Sequence, residues 1–164
     1  MGYSPLAGLT MGTRSGDIDA NGALILAERV GIERARRILN HESGLLGLGG
    51  ASDMRALEAS DAPAAAFALE HFAYWAVRHA GSMIAAMGGL DAVAFTGGIG
   101  ENAPAIRNGI MAGLAFTGLA VDDASNGAGG PSLHAAGSRV TAWVVPAAEE
   151  ATIADAARAL META

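Results

Sequence analysis

The sequence predicts an α/β domain that is rich in helix and short of strands. The chain has 164 residues, 51% hydrophobic and 16% charged, which is enough apolar material for one packed core. Several segments have helical patterns, whereas only Ala92–Phe95 and Arg139–Val145 have strand patterns. Two strands make a poor sheet by themselves, so either further strands lie in the apparent loops or the sheet is completed by upstream residues. We favour the second explanation.

The N-terminal part of the chain combines a turn-rich segment with two helices. Glycines and a proline punctuate residues 1–17. Asp17 is placed to cap a helix over residues 19–30, and the candidate buried positions of this helix are Leu24, Ile25 and Val30. After a glycine, a shorter helix is expected over residues 32–39.

The middle of the chain is dominated by one long helix. Residues 43–52 are expected to form a glycine-rich loop or a short turn of helix. Pro63 suits the first turn of a helix that ends near Gly88 and Gly89. Six large apolar side chains are expected to supply the buried surface of this helix: Phe67, Leu69, Phe72, Trp75, Met83 and Met87.

The remaining elements alternate between strands, loops and helices. The strand at 92–95 leads into a glycine turn, and a helix follows over about residues 103–112. Residues 122–138 are rich in Gly, Ser, Asn and Asp and are predicted to be a surface loop. The second strand, over residues 139–145, alternates and is β-branched. It turns into a last helix that starts at residue 149 and ends near residue 161.

The composition excludes several classes of protein. Cysteine is absent, which rules out disulfides, thiolate nucleophiles and cysteine-ligated zinc, and which fits the reducing cytoplasm as the expected location. All ten basic residues are arginine, so a P-loop NTPase with its Walker A lysine is excluded. The net charge of −7 argues against a nucleic-acid partner. No apolar run reaches the roughly 20 residues that span a bilayer, and the four histidines lack the spacing of metal ligands.

The strongest candidate for ligand binding is the run Phe95–Asn102. A buried strand breaks into Gly97, Gly98 and Gly100, and a helix-like segment follows. Such a turn lets the backbone come close to a ligand and points N–H groups at it, a geometry that suits a nucleotide. By itself the turn is equally compatible with a tight strand-to-helix connection.

A second patterned loop, Gly12–Asp17, carries an arginine between flanking glycines. Arg14 is either a solvated surface residue or the fixed cation that phosphoryl transfer needs beside the transferred group. Asp53 and Arg55 are either a solvated pair or part of the same site. Glu149 either complements the dipole of the last helix or presents a carboxylate to hydrated Mg²⁺.

Taken together, these motifs resemble those of the acetate kinase family, which belongs to the acetate/sugar kinase–Hsp70–actin superfamily with its ribonuclease H-like fold. The matching segments occur in family order and extend over essentially the whole chain: residues 1–6, 13–19, 52–55, 95–102 and 145–150. The combination is highly specific, although each segment alone is not.

The resemblance implies Mg²⁺-dependent phosphoryl transfer between ATP and acetate or propionate, which yields acyl phosphate and ADP. Arg14 matches the arginine that stabilises the transition state, and Glu149 matches the Mg²⁺-associated glutamate. The loop that borders the adenosine corresponds to Asp53, Met54 and Arg55. The cofactor-binding turn corresponds to Gly97, Gly98, Ile99, Gly100, Glu101 and Asn102.

The resemblance covers only the C-terminal portion of the family pattern. We therefore expect residues 1–164 to be a partial C-terminal nucleotide-binding domain, without the upstream strands, the phosphate loop and most of the acid pocket. The chain alone is expected to be inactive, its final helix (149–164) to pack on an absent N-terminal domain, and the protein to form a homodimer. The alternatives are a non-catalytic nucleotide-binding or dimerisation module and a related butyrate or sugar kinase.

Overall fold

The computed structural model describes residues 2–162, so the ends of the predicted segments at Met1, Thr163 and Ala164 lie outside the described residues. The helices are α1 (Ala20–Val30), α2 (Ile32–His41), α3 (Gly44–Gly49), α4 (Met54–Glu58), α5 (Pro63–Met87), α6 (Gly97–Asn102), α7 (Pro104–Gly113), α8 (Asp123–Gly127) and α9 (Glu149–Glu162), with a 3₁₀ turn at Ala115–Thr117. The strands are β1 (Ala92–Phe95) and β2 (Thr141–Val144). The helix-rich α/β fold is confirmed.

The sheet of the described residues consists of β1 and β2, which run parallel with Ala92 opposite Thr141. The other edge of β2 is bridged by the segment before it, where the N–H of Val144 donates to the carbonyl of Pro131 at 2.8 Å. Within residues 2–162, β1 has no strand partner on its other edge. The predicted shortage of strands is therefore present, and the open edge belongs to β1.

Two apolar clusters form the core. In the first, α3 and α4 pack on the N-terminal half of α5 and the start of α7; its buried members are Leu45, Met54, Leu57, Ala65, Ala68, Phe72, Ala103 and Ile106. The second lies against one face of the sheet; its buried members are Met111, Leu114, Leu119, Leu133, Val140 and Ala142. Ile110 on α7 contacts both clusters, so α7 joins the two halves of the core.

The long helix α5 begins at Pro63 and ends before Gly88, whose φ of +78° suits a helix C-terminus, and both predicted bounds are confirmed. Its buried side is narrower than predicted. Phe72 is buried, but Phe67, Met83 and Met87 are 55% to 65% exposed, because no described element covers these positions. Among the residues described, no helix is both long and apolar enough to cross a membrane.

His71 and His79 lie eight residues apart on α5 and share one face of the helix with Trp75. Trp75 sits between His71 and His79, with ring centroids 6.0 Å and 6.1 Å away. Arg78 lies over the Trp75 ring at 4.2 Å from its centroid. These contacts place the three rings and the guanidinium along one face of α5.

The predictions for α1 are wrong in two respects. Its cap is Asp19, whose Oδ1 accepts from the N–H of Gly22 at 3.0 Å. Asp17 instead accepts from the N–H of Gly8 at 2.7 Å and closes the N-terminal turn. The helix packs chiefly on α2, so its predicted buried positions are exposed: Leu24, Ile25 and Val30.

The predicted surface loop at 122–138 is wrong in part. It contains α8 and two buried residues, Asn126 and Leu133. Leu133 is fully buried in the second cluster, where its N–H donates to the carbonyl of Ala142 at 2.9 Å. The polar composition of this segment hides these inward contacts, since most of its other residues face solvent.

Candidate functional site

One cleft of about 220 Å³ brings together residues of three predicted motifs. The residues that line it are Gly12, Leu45, Ser52, Asp53, Met54, Arg55, Gly98, Ile99, Asn102 and Ala103. A larger groove of about 1030 Å³, between the N-terminal segment, α1 and α2, contains none of the predicted site residues. The smaller cleft is therefore the candidate site.

The loop that carries Arg14 is held against the first turn of α3. The N–H groups of Leu45 and Leu46 donate to the carbonyls of Met11 and Gly12, both at 2.9 Å. First-turn N–H groups have no acceptor within their own helix, so the loop caps α3 while α3 fixes the loop. The sequence does not reveal this support, because backbone carbonyls leave no pattern in it.

Gly44 makes this close approach possible. Its φ is +64°, and an added Cβ would collide with the carbonyl oxygens of Met11 and Arg14. At Gly12, an added Cβ would lie 2.7 Å from the carbonyl oxygen of Ser52. The arginine loop is thus in contact with both α3 and the segment that precedes α4.

The Arg14 side chain is partly buried rather than fully solvated. Its Nη1 lies 4.0 Å from Sδ of Met11, and within the described part of the chain it forms no ion pair. Arg14 follows the cleft-lining Gly12 by two residues in the same loop. Arg14 itself does not line the cleft, and its guanidinium is not paired with any described carboxylate.

The Asp53–Arg55 segment starts α4. Oδ1 of Asp53 accepts from the N–H of Ala56 at 3.1 Å and caps this helix. Met54 is buried in the first cluster, whereas Asp53 and Arg55 are exposed. Buried Met54 anchors the segment, and its polar neighbours border the cleft.

The glycine run forms a short helix, α6, rather than an open turn. Gly97 has a φ of +71°, a conformation that favours glycine. At Gly100, an added Cβ would lie 3.1 Å from the backbone of Phe95, so this glycine allows α6 to pack on the end of β1. At Gly98, an added Cβ would meet no atom within 4 Å, which leaves open space at the wall of the cleft.

Arg107 supports α6 and was not recognised in the sequence. It is 1% exposed, and its Nη1 donates to the carbonyls of Gly100 and Glu101 at 3.0 Å and 2.9 Å. Its Nε and Nη2 donate to the side-chain and backbone oxygens of Asn126 at 2.9 Å and 2.8 Å. Burial lowers the pKa of Arg107 from its ordinary value. No motif marks this arginine, since on sequence alone it resembles a solvated helix position.

Two polar side chains of the run, those of Glu101 and Asn102, form hydrogen bonds with backbone groups. Oε1 of Glu101 accepts from the N–H groups of Gly97 and Ala147 at 3.0 Å and 2.8 Å. Nδ2 of Asn102 donates to the carbonyl of Gly98 at 2.9 Å. The turn is consequently braced by side-chain contacts on both Glu101 and Asn102.

Glu149 opens α9 and is exposed, but it does not line the cleft. The described residues contain no group of three or more His, Asp or Glu side chains that could hold a metal ion. Mg²⁺ typically binds to one or two carboxylates together with phosphate and water oxygens. A single exposed carboxylate such as that of Glu149 is compatible with that mode.

Comparison with known proteins decides the family. A model of the Acetokinase family matches residues 1–155. The chain belongs to the acetokinase family. Acetate kinases from Desulforamulus reducens and Rhodopseudomonas palustris are 43% and 45% identical to it over 162 and 160 residues. Each match covers 94% of this acetokinase-family chain, but only 41% and 40% of those relatives.

Solved structures of the acetokinase family share the fold. The acetate kinase from Entamoeba histolytica superposes with a TM-score of 0.90 at 33% identity, over 96% of this chain and 44% of that one. A propionate kinase from Francisella tularensis superposes with a TM-score of 0.84 at 36% identity, over 92% and 40%. The chain thus spans less than half the length of these relatives.

Proposed function

We propose that this chain supplies the nucleotide side of a short-chain acyl kinase, which transfers a phosphoryl group between ATP and acetate or propionate. The main support is the cleft, where the arginine loop, the Asp53–Arg55 segment and the glycine run meet. The chain that forms this cleft belongs to the acetokinase family. Acetate and propionate are both proposed because solved relatives include kinases of each name. We also assign the fold to the acetate/sugar kinase–Hsp70–actin superfamily.

Arg14 is proposed to stabilise the transferred phosphoryl group. In this step a carboxylate oxygen of the acid attacks the γ-phosphorus, the bond to the β–γ bridging oxygen breaks, and its electron pair leaves with ADP. Negative charge on the equatorial oxygens needs a fixed cation. The hydrogen bonds from α3 hold the loop of Arg14 in place, so little reorganisation is required during the reaction.

The nucleotide is proposed to lie between the Asp53–Arg55 segment and α6. Asp53, Met54 and Arg55 would border the adenosine, and the backbone of residues 97–102 would hold the sugar and phosphates. Gly98 lines the cleft, and an added Cβ there would meet no atom within 4 Å. The absence of a side chain at this position therefore leaves room for a ligand. Mg²⁺, when bound with the nucleotide, would neutralise phosphate charge, and Glu149 would hold it directly or through water.

We further propose that turnover needs the part of the family's length that this chain does not span, and that these 164 residues alone bind nucleotide without catalysis. The final helix, α9, would pack on that part, since its apolar Ile153, Leu160 and Met161 are exposed. The cytoplasm, where ATP is available, is the proposed location.

A second candidate function is dimerisation, with or without catalysis. The observation that favours it is the set of large apolar side chains exposed on α5: Phe67 and Tyr74 on one side of its N-terminal half, and Met83 and Met87 on a different side near its C-terminus. A homodimer formed through this helix would protect it from amide exchange. Sedimentation that shows only monomer at tens of micromolar would contradict this proposal.

Titration calorimetry of Mg-ADP into the purified chain tests the proposed nucleotide site. We expect saturable binding to a sample that circular dichroism shows to be folded. Gly98→Val should weaken binding by about tenfold or more, because its side chain enters the cleft. Gly81→Val is the matched control, since an added Cβ in α5 also meets open space but lies away from the cleft. A folded chain that does not bind Mg-ADP, or equal affinity in both variants, would contradict the proposal.

A further inference from the structure

The carboxylate of Glu101 joins two segments that leave the sheet separately. Its Oε1 accepts from Gly97, at the start of α6, and from Ala147, two residues before Glu149. Both bonds use the same oxygen, at 3.0 Å and 2.8 Å. One side chain thus connects the glycine run to the segment that leads into α9.

The hydrogen bond from Ala147 to Glu101 follows the last backbone hydrogen bond between the two strand segments. Beyond β1 and β2, the N–H of Val145 still donates to the carbonyl of Phe95 at 2.8 Å. Pro146 has no N–H, so Ala147 is the next possible donor, and it donates to Glu101. Within residues 2–162, this is the one hydrogen bond between residues 146–149 and residues 96–102.

The backbone of Glu101 is itself held by contacts with the core. Buried Arg107 donates to the carbonyls of Gly100 and Glu101, and Gly100 packs closely on Phe95. The position from which the carboxylate reaches Ala147 is therefore set by the core. Because these contacts hold α6, the helix cannot shift to let a shorter side chain at residue 101 reach Ala147.

We propose that Glu101 is a positioning residue, whose side chain sets the spacing between the glycine run and Glu149, while its carboxylate does not contact the nucleotide. Its effect on Mg²⁺ rests on the proposed function, in which the glycine run holds the nucleotide and Glu149 the metal. The two hydrogen bonds to Oε1 of Glu101 do not depend on that function. The side chain acts through its reach and its acceptor oxygen, so charge matters less than length.

Two conservative variants separate reach from charge. Glu101→Gln keeps the reach and Oε1 but removes the charge, whereas Glu101→Asp keeps the charge and loses one methylene. Amide exchange by NMR, without nucleotide, should be at least about tenfold faster at Gly97 and Ala147 in Glu101→Asp and less than about threefold faster in Glu101→Gln. Glu28→Asp, an exposed change on α1, is the control. Unchanged exchange at both amides in Glu101→Asp would overturn the inference.

Calorimetry with ADP, with and without Mg²⁺, tests the consequence. In Glu101→Asp, the gain in ADP affinity on adding Mg²⁺ should fall by about tenfold, while Glu101→Gln should keep most of it. A loss in Glu101→Gln as large as in Glu101→Asp, with exchange at the two amides unchanged, would instead make Glu101 a charged ligand and overturn the inference. If the wild-type chain binds no ADP, the proposed function fails for this chain. The exchange experiment still tests whether Glu101 holds the segments of Gly97 and Ala147 together.

Discussion

At the residue scale, side chains around the cleft bind the backbone more than they bind each other. Arg107 donates to three carbonyls and one amide oxygen, while Asp53 and Glu101 accept from backbone N–H groups. A buried guanidinium is costly unless its donors are satisfied, and these oxygens satisfy them. The backbone around the cleft is therefore positioned before a ligand binds.

Replacing Arg107 with Met should lower stability strongly. The change removes the donors of buried oxygens on Asn126 and of partly buried oxygens on Gly100 and Glu101, and we expect a loss of about 3 kcal/mol in the free energy of unfolding. Urea denaturation measures the difference. Arg29→Met, at an exposed position on α1, should change stability by less than about 0.5 kcal/mol. Equal midpoints for the two variants would contradict the structural role of Arg107.

Stability should fall as the pH drops below the ordinary histidine value of 6.5, in part through His71. Burial lowers the pKa of this imidazole, which lies 3.1 Å from Oγ1 of Thr10. The unfolded chain then binds the proton more readily than the folded chain, so protonation favours unfolding. Urea midpoints at several pH values should decline less in His71→Gln than in wild type. The same decline in His71→Gln and in an exposed control, His41→Gln, would contradict this account.

At the scale of elements, local signals located most helices and both strands, but missed the short helices α6 and α8 and did not show what covers the elements. Pro63, Gly88 and the alternation around β2 act within a few residues, so the bounds of α5 and β1 were predictable, whereas β2 is shorter than the predicted strand at 139–145. The burial of α1 was not, because it depends on distant segments. The same holds for the site: its three segments were found from motifs, whereas the partners of Glu101 and Arg107 depend on how those segments meet.

The packing of α3 on the arginine loop depends on Gly44. Gly44→Ala places a Cβ against two carbonyl oxygens at a φ of +64°, so we expect a loss of at least about 1–3 kcal/mol. Thermal denaturation followed by circular dichroism provides the measurement. Gly81→Ala, within α5 and with open space around it, should instead stabilise by about 0.5–1 kcal/mol. A neutral Gly44→Ala would show that the loop is not held as described.

At the scale of the whole molecule, one face of the sheet is not covered. Val93 and Phe95 face the second cluster, whereas Ala92, Ala94 and Trp143 are exposed among the described residues. Parallel sheets are normally covered on both faces. The chain spans about two-fifths of the acetate kinases it matches, and the rest of that length is where we expect the cover.

The chain should self-associate as its concentration rises, because β1 has an open edge. Sedimentation velocity over a range of concentrations should show growth beyond a dimer. Ala94→Lys, which places a charge on β1, should suppress that growth. A saturating dimer that is insensitive to Ala94→Lys would point to α5 instead, and a monomer at all concentrations would contradict both interfaces.

A map of backbone amide shifts on addition of Mg-ADP tests most directly whether the nucleotide binds in the cleft. If it does, the largest saturable NMR shifts should cluster at Gly12, Asp53–Arg55 and Gly97–Asn102. Saturable shifts confined to the larger groove between α1 and α2, or no shifts in a folded chain, would contradict binding in the cleft.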